Sequence, residues 1–392
     1  MSLSRDLPLG YLRTFLTLLV VAHHALLAYH PYAPPPAGSL LTEPRLWMVF
    51  PIVDAARWHN VESVIGFNDV FFMSLMFLVS GVFAWGSLQR RGAGAFLRER
   101  VMRLGVPFVI AASVLAPLAY YPTWLQMGKP GGSFWREWLA LGEWPAGPAW
   151  FLWVLLVFGV LASLLYRIAP SVGTRLGAMA ERLGQRPLRF FLVLLTISAI
   201  AYVPLALAVD PSHWSTFGPF YVQSSRVLHY AVYFLVGISL GAAGLGRGLF
   251  DLSGRLARRW PLWLVVTVLA FGIAFLALIL VLQSYPSGGP SIGLRIFGNL
   301  TWVLLCACTS LLFVALFLRF TRTGTGVMNS LSTNAYGIFL LHYACVSWLQ
   351  WGLLGTALPA WVKGLAVVFA AVLLSWALTA GLRRIPAIAR ML

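Results

Sequence analysis

About ten stretches of roughly 20 mostly apolar residues, each long enough to cross the hydrocarbon core of a bilayer as a helix, constrain this chain more than any other feature. They fall near 9–30, 69–88, 103–122, 148–168, 188–208, 226–244, 260–283, 293–318, 327–350 and 361–382. Backbone groups in hydrocarbon must satisfy one another, so such stretches become helices packed side by side. The fold class is therefore all-α, a polytopic transmembrane helical bundle of about ten spans. The composition agrees, with 60% hydrophobic and only 10% charged residues and a mean hydropathy of +0.82. No soluble domain of ordinary size fits between the spans, and no internal repeat or low-complexity tract divides the chain. Residues 1–392 read as one integral-membrane domain.

A net charge of +17 would suit a nucleic-acid partner if it were gathered into a patch, but it is dealt out loop by loop. Alternate connections carry Arg5; Arg90, Arg91, Arg98, Arg100 and Arg103; Arg167, Arg175, Arg182, Arg186 and Arg189; Arg247, Arg255, Arg258 and Arg259; Arg319 and Arg322; and Arg383, Arg384 and Arg390. That set holds 20 of the 28 basic residues; the other side holds seven, Arg45, Arg57, Lys129, Arg136, Arg226, Arg295 and Lys363, and Arg13 lies just inside the first span. Basic residues are retained on the cytoplasmic side, so the asymmetry predicts both termini inside and an even number of spans. The charge is a topology signal, and no nucleic-acid partner is expected.

Cys306, Cys308 and Cys345 all lie within spans and suggest neither a disulfide framework nor a metal site. The first span lacks a small-residue cleavage site and is expected to be retained. The longest outer connection, from Pro31 to Asn68, is of a length that is usually functional or disordered. A second outer segment, Tyr121 to Gly147, carries Trp135, Trp138 and Trp144, residues suited to anchoring at the interface and also to stacking on a saccharide. Phosphate-loop, zinc-protease, nucleophile-elbow and dinucleotide motifs are all missing.

Ionisable groups at membrane depth are costly, so by default they mark a site facing the protein interior. In YLRTFLTLLVVAHHALLAYH, Arg13 and His24 are eleven positions apart, close to three turns, and so share one helical stripe about 16 Å long. His23 projects about 100° away from that stripe. A lone membrane histidine often serves only as a hydrogen bond between helices. Paired with Arg13 along one face, His24 also reads as a base in a sheltered path, because imidazole accepts and returns protons near neutral pH. Arg100 and Arg103, three apart, share a face if the third span's helix begins early. They read either as cytoplasmic retention signals or as an anion site whose guanidinium forks match phosphate. His342 lies at a depth similar to that of His24, which allows a shared chamber or a structural hydrogen bond. Asp69 reads as a carboxylate partner orienting His24 or as a solvated loop residue. His30 and His59 read as outer-loop residues, His213 as part of the turn DPSHW, and His229 as a site residue beside Arg226 or the start of the sixth span. No zinc spacing links them, and no metal is expected.

The segment RTFLTLLVVAHH resembles the arginine, ten residues, histidine opening of the membrane-bound acyltransferase-3 family, with the match on Arg13 and His24. FFMSLMFLVSGVF resembles that family's apolar stretch ending in Ser80 and Gly81, and FLRERVMRLGVPF its Arg-x-x-Arg element at Arg100 and Arg103. PAWFLWVLLVF is similar to its aromatic fourth-span opening, although Ala149 precedes Trp150 where many members carry histidine. NAYGIFLLHYACV resembles its late span, with Asn334 and His342. The arrangement is nearest in look to the periplasmic glucan succinyltransferase branch.

The resemblance implies transfer of an acyl group, acetyl or succinyl, from cytoplasmic acyl-CoA to a hydroxyl of a carbohydrate at the outer face of a bacterial inner membrane. Arg13, Arg100 and Arg103 would hold the donor's phosphates, and its slender arm is roughly as long as the Arg13-to-His24 stripe. His24 would act as general base, with Arg13 and His342 in the catalytic set; an acyl-histidine is the alternative. Ser80, Trp150 and Asn334 are candidate donors to the oxyanion, and with Asp69 they form the expected substrate-binding set. The rival reading is a proton-coupled transporter or flippase of a small or lipid-linked anionic substrate, which predicts inverted-repeat hydropathy and paired broken spans that the sequence does not display. A membrane sensor would usually carry an appended soluble domain.

Overall fold

The computed structural model describes the backbone of residues 3–392 and the side chains from Asp6 onward, so Arg5 lies outside the described side chains. The long helices are α1 (Leu3–Leu27), α2 (Val61–Arg100), α6 (Trp150–Ile168), α8 (Pro187–Val209), α9 (Val227–Ala243), α11 (Trp260–Ser284), α12 (Ile292–Phe320), α13 (Gly326–Gly352) and α14 (Ala360–Leu382). Between α2 and α6 the chain continues through a π-helical turn (Val101–Gly105), α3 (Val106–Ile110), a second π-helical turn (Ala111–Leu115) and α4 (Ala116–Gln126). Eight runs among the described residues are long and apolar enough to cross a membrane. One of them, Val61–Gln126, has 66 residues, more than three times the roughly 20 that one crossing needs, and it turns back at Gly92, whose φ of 76° breaks the helix. It therefore supplies two crossings. The 27-residue α13, long enough but rich in polar groups, completes a bundle of ten.

Several connections that read as plain loops carry structure. The arginine-rich segment after α6 forms the amphipathic α7 (Ser171–Gly184), whose Gly173 lies against the Trp85 indole. On the opposite end, α5 (Phe134–Ala140) and the antiparallel pair β1 (Trp214–Phe217) and β2 (Phe220–Gln223) are the additions. The long connection after α1 is ordered by named contacts. Asp54 pairs with Lys363 of α14 at 2.9 Å; the Arg57 guanidinium donates to the carbonyls of His30 and Ala33 at 3.1 and 3.3 Å; and buried Glu137 accepts from the Ser39 hydroxyl and the Leu40 N–H at 3.0 and 3.1 Å.

α1 and α12 sit at the centre, while α8, α11 and α14 expose leucine, valine and phenylalanine along their outer sides, as helices facing lipid do. The closest crossing is α2 on α9. A Cβ on Gly237 would meet the Leu78 carbonyl, one on Gly241 the Val82 carbonyl, and one on Gly81 the Phe234 carbonyl, so all three positions admit glycine alone. Small residues substitute here for the hydrophobic driving force that lipid does not supply. Gly237→Leu is expected to separate these two helices and to convert a monodisperse detergent-solubilised protein into aggregate, as read by size-exclusion chromatography.

Candidate active site

α1 carries Arg13 and His24 on one continuous helix, eleven residues and about 16 Å apart. Arg13 is exposed and His24 half-buried, yet both are surrounded by protein. The two side chains share one stripe of α1, Arg13 toward its start and His24 toward its end. At the arginine-rich end of the bundle α2 carries Arg100, its guanidinium 4.9 Å from the centre of the Phe96 ring, and the π-helical turn that follows carries Arg103, which is 3.8 Å from Glu99. The helix runs unbroken from the Gly92 turn through Arg100 into the first π-helical segment, so the third crossing begins before both arginines. Arg103 also faces Arg13 closely enough to repel it, and its backbone carbonyl accepts from the Tyr336 hydroxyl of α13. Three guanidiniums thus converge where the bundle has few carboxylates to neutralise them. The C-terminal Leu392 carbonyl approaches Arg103 at 3.5 Å, which brings the end of the chain to the same end of the bundle as the start of α1.

At the other level, α13 sets the His342 ring 5.5 Å from that of His24, and the Tyr343 ring meets His24 edge-on at 5.0 Å. The Nδ1 of His342 lies 2.6 Å from the Phe339 carbonyl, which can only accept, so Nδ1 carries the hydrogen and Nε2 is the bare nitrogen of the neutral ring. That Nε2 and the Nδ1 atoms of His23 and His24 are enclosed without a protein partner. Such a group costs free energy unless something it binds repays it. Gln350 donates from one amide to the carbonyls of His24 and Ala25, both at 3.0 Å, and so holds the end of α1 against α13. Tyr343 reaches Tyr120 at 3.3 Å and the Met48 carbonyl at 3.4 Å, tying this level to the outer loop.

The remaining site candidates divide. Asp69 is not the partner of His24: its carboxylate takes the Arg226 guanidinium at 2.7 Å, and Arg226 lies over the Trp302 ring at 4.8 Å. Ser80 lies eight residues beyond Phe72, the residue that stacks on His23, and so about 12 Å further toward the arginines. Asn334 is displaced the same way from His342, and its amide donates to the Ser330 carbonyl at 2.8 Å. Neither reaches the His24 level. Trp150 stacks on Tyr230 at 5.7 Å and lies 6.4 Å from the Phe77 ring, packed among aromatics rather than on the histidines. His23 does join them despite pointing to another face of α1, since its ring meets His24 edge-on at 5.3 Å. His229 is fully buried 3.5 Å from the Cys306 sulfur, apart from the His24 group. Arg226, Tyr343 and Gln350 were not singled out from sequence; the signal for Arg226 was a basic residue within three positions of a histidine at the start of a span.

A family model described as an acyltransferase domain matches residues 8–380. The chain belongs to the acyltransferase-3 family. The match begins before Arg13 and ends beyond His342, so the whole constellation lies inside it. No curated protein and no solved structure matches the chain. This acyltransferase-3 member is an integral membrane acyltransferase whose opening helix carries both Arg13 and His24.

Proposed function

We propose that this protein is an O-acyltransferase that carries an acetyl or succinyl group from cytoplasmic acyl-CoA to a hydroxyl of a carbohydrate at the outer face of a bacterial cytoplasmic membrane. The observation that carries this reading is the His24–His342 pair set about three helical turns above the Arg13, Arg100 and Arg103 cluster. The arginines suit the donor's phosphates, and the distance suits its arm. In this reading both termini are cytoplasmic and residues 1–392 work as one domain.

His24 is the general base. It takes the proton from the acceptor hydroxyl as that oxygen attacks the thioester carbonyl; the carbon–sulfur bond then breaks, and the imidazolium returns the proton to the departing thiolate. The proton begins on oxygen and ends on sulfur, so none is gained or lost overall. His342, held in one tautomer by Phe339, keeps a second bare nitrogen next to His24 and steadies the imidazolium that forms. Ser80 and Asn334 line the donor's path, and the oxyanion falls to groups at the level of Tyr343.

Acyl transfer from labelled acetyl-CoA or succinyl-CoA into membrane glycans tests the reading. Arg13→Ala and Arg100→Ala are each expected to raise the donor KM roughly tenfold, the scale of one lost charge-assisted contact, while leaving the acceptor KM unchanged. An unaltered donor KM in both variants would remove the arginines from donor binding.

A further inference from the structure

The longest outer connection and the outer end of α4 enclose a cavity of about 100 Å³. Its floor is buried and includes Trp47, Val53 and Thr123, while its rim of Pro35, Pro36 and Leu46 is exposed, so the space opens outward. The walls are braced against collapse. Adjacent prolines fix the backbone of the rim. The Trp47 indole donates to the Leu40 carbonyl at 3.1 Å, and the Gln126 amide both accepts from the Val53 N–H at 3.1 Å and donates to the Val53 carbonyl at 2.6 Å. No charged residue lines the space.

One polar group on the floor is unsatisfied. Thr123 is 2% exposed, and its hydroxyl has no hydrogen-bond partner. A buried hydroxyl in that state costs free energy unless something in the cavity completes it. Water suits the place poorly, because a held water needs two to four polar partners and the Gln126 amide is already engaged at both its atoms. Apolar cavities of about 150 Å³ stay dry and accept benzene. Space, wall chemistry and the lone hydroxyl together fit a hydrocarbon body of about five or six carbons that carries one oxygen. Neither His24 nor His342 lines the cavity, yet the two are linked. Trp47 and Met48 share one short turn, Leu46–Met48. The Met48 carbonyl accepts from the Tyr120 and Tyr343 hydroxyls at 3.2 and 3.4 Å, and the Tyr343 ring meets His24 edge-on at 5.0 Å.

We infer that this outer cavity is a second, noncatalytic binding site for a small neutral alcohol, whose hydrocarbon body fills the floor and whose oxygen bonds Thr123. Filling it braces the Leu46–Met48 turn and so holds Tyr343 beside His24. The binding stands apart from the acyl-transfer reading; only the effect on turnover rests on it.

The test titrates cyclopentanol into the full-length protein in detergent by calorimetry. Thr123→Met, whose longer side chain fills the cavity, gives the background for partition into micelles. Wild type is expected to bind cyclopentanol above that background and cyclopentanecarboxylate about tenfold or more less tightly, since a carboxylate would meet no cation there. Thr123→Val keeps the shape of the floor and removes the hydroxyl. It is expected to weaken cyclopentanol binding several-fold, the scale of one neutral hydrogen bond, and to unfold at the wild-type temperature or above, because no existing bond is lost. In turnover, cyclopentanol is expected to raise kcat about twofold, as a shift toward one of two close-lying positions of Tyr343 would, and to leave the acceptor KM unchanged. Equal heats from wild type and Thr123→Met, equal binding of the carboxylate, undiminished binding or earlier unfolding in Thr123→Val, or a raised acceptor KM overturns the inference. Protein that binds cyclopentanol in this pattern but transfers no acyl group would strike the acyltransferase reading and leave the site standing.

Discussion

Replacing His24 with alanine is expected to lower acyl transfer by about 10²–10⁴-fold, the usual worth of a positioned general base. Folding should survive, because the His24 ring has no hydrogen bond holding the bundle together; its Nδ1 is unpartnered, and the Gln350 clamp grips backbone carbonyls that alanine retains. The deletion opens a space between the rings of Tyr343 and His342, 5.0 and 5.5 Å from the original ring, of the right shape for a free imidazole. Added imidazole is therefore expected to restore part of the activity of His24→Ala in a concentration-dependent way, and to do nothing for Arg13→Ala. Full activity in the alanine variant would take His24 out of the chemistry. Comparing labelled-acyl incorporation with and without imidazole reads both outcomes, and a thermal-unfolding trace that matches wild type separates lost chemistry from lost fold.

Lys363→Met is expected to cost roughly 3–5 kcal/mol of stability, because it strands a buried carboxylate. The Lys363 and Asp54 side chains are 2% and 4% exposed and 2.9 Å apart. Asp54 also accepts from the Ala56 N–H at 2.8 Å, while its own N–H donates to the Ala28 carbonyl at 3.0 Å, so the ion pair, the outer loop and the end of α1 form one unit. Removing the cation alone leaves the charge with nothing but dipoles around it. Converting both partners, as in Asp54→Asn with Lys363→Met, is expected to recover much of the loss, since two charges then leave the interior together. Thermal unfolding in detergent measures this directly. A single variant as stable as wild type would mean that water reaches the pair. Because the outer loop packs through Met48 onto Tyr120 and Tyr343, the single variant should also lose activity through displacement of Tyr343 from His24.

The spans were legible because twenty apolar residues in a row have few alternatives to a membrane helix, and most of their ends lie within a few residues of the expected positions; the larger departures are α2, which extends outward to Val61, and the third crossing, which begins at the Gly92 turn rather than near 103. The elements lying along the two faces were not. α7 mixes arginines with small residues and owes its place to glycines fitting against Trp85 and the α9 terminus, a contact that no local pattern announces. The Arg13, His24 and His342 arrangement could be read because a charged or imidazole group inside an apolar run stands out and helical arithmetic gives its depth. Two contacts were not legible, for physical reasons. Arg226 looked like one more loop charge until the fold set it against Asp69, 157 positions away. His23 was turned away from the stripe by helix geometry, which says nothing of how near α2 comes on the adjacent face; Phe72 stacks on it there at 5.3 Å and keeps it beside His24.

The most direct measurement uses sealed vesicles with the protein in one orientation, labelled acyl-CoA supplied only on the side of the arginine-rich loops, and a membrane-impermeant neutral sugar only on the other. The account predicts labelled ester on the sugar, with the intact donor never crossing and with the signal lost in His24→Ala. Label that appears only when donor and sugar share one compartment would contradict it.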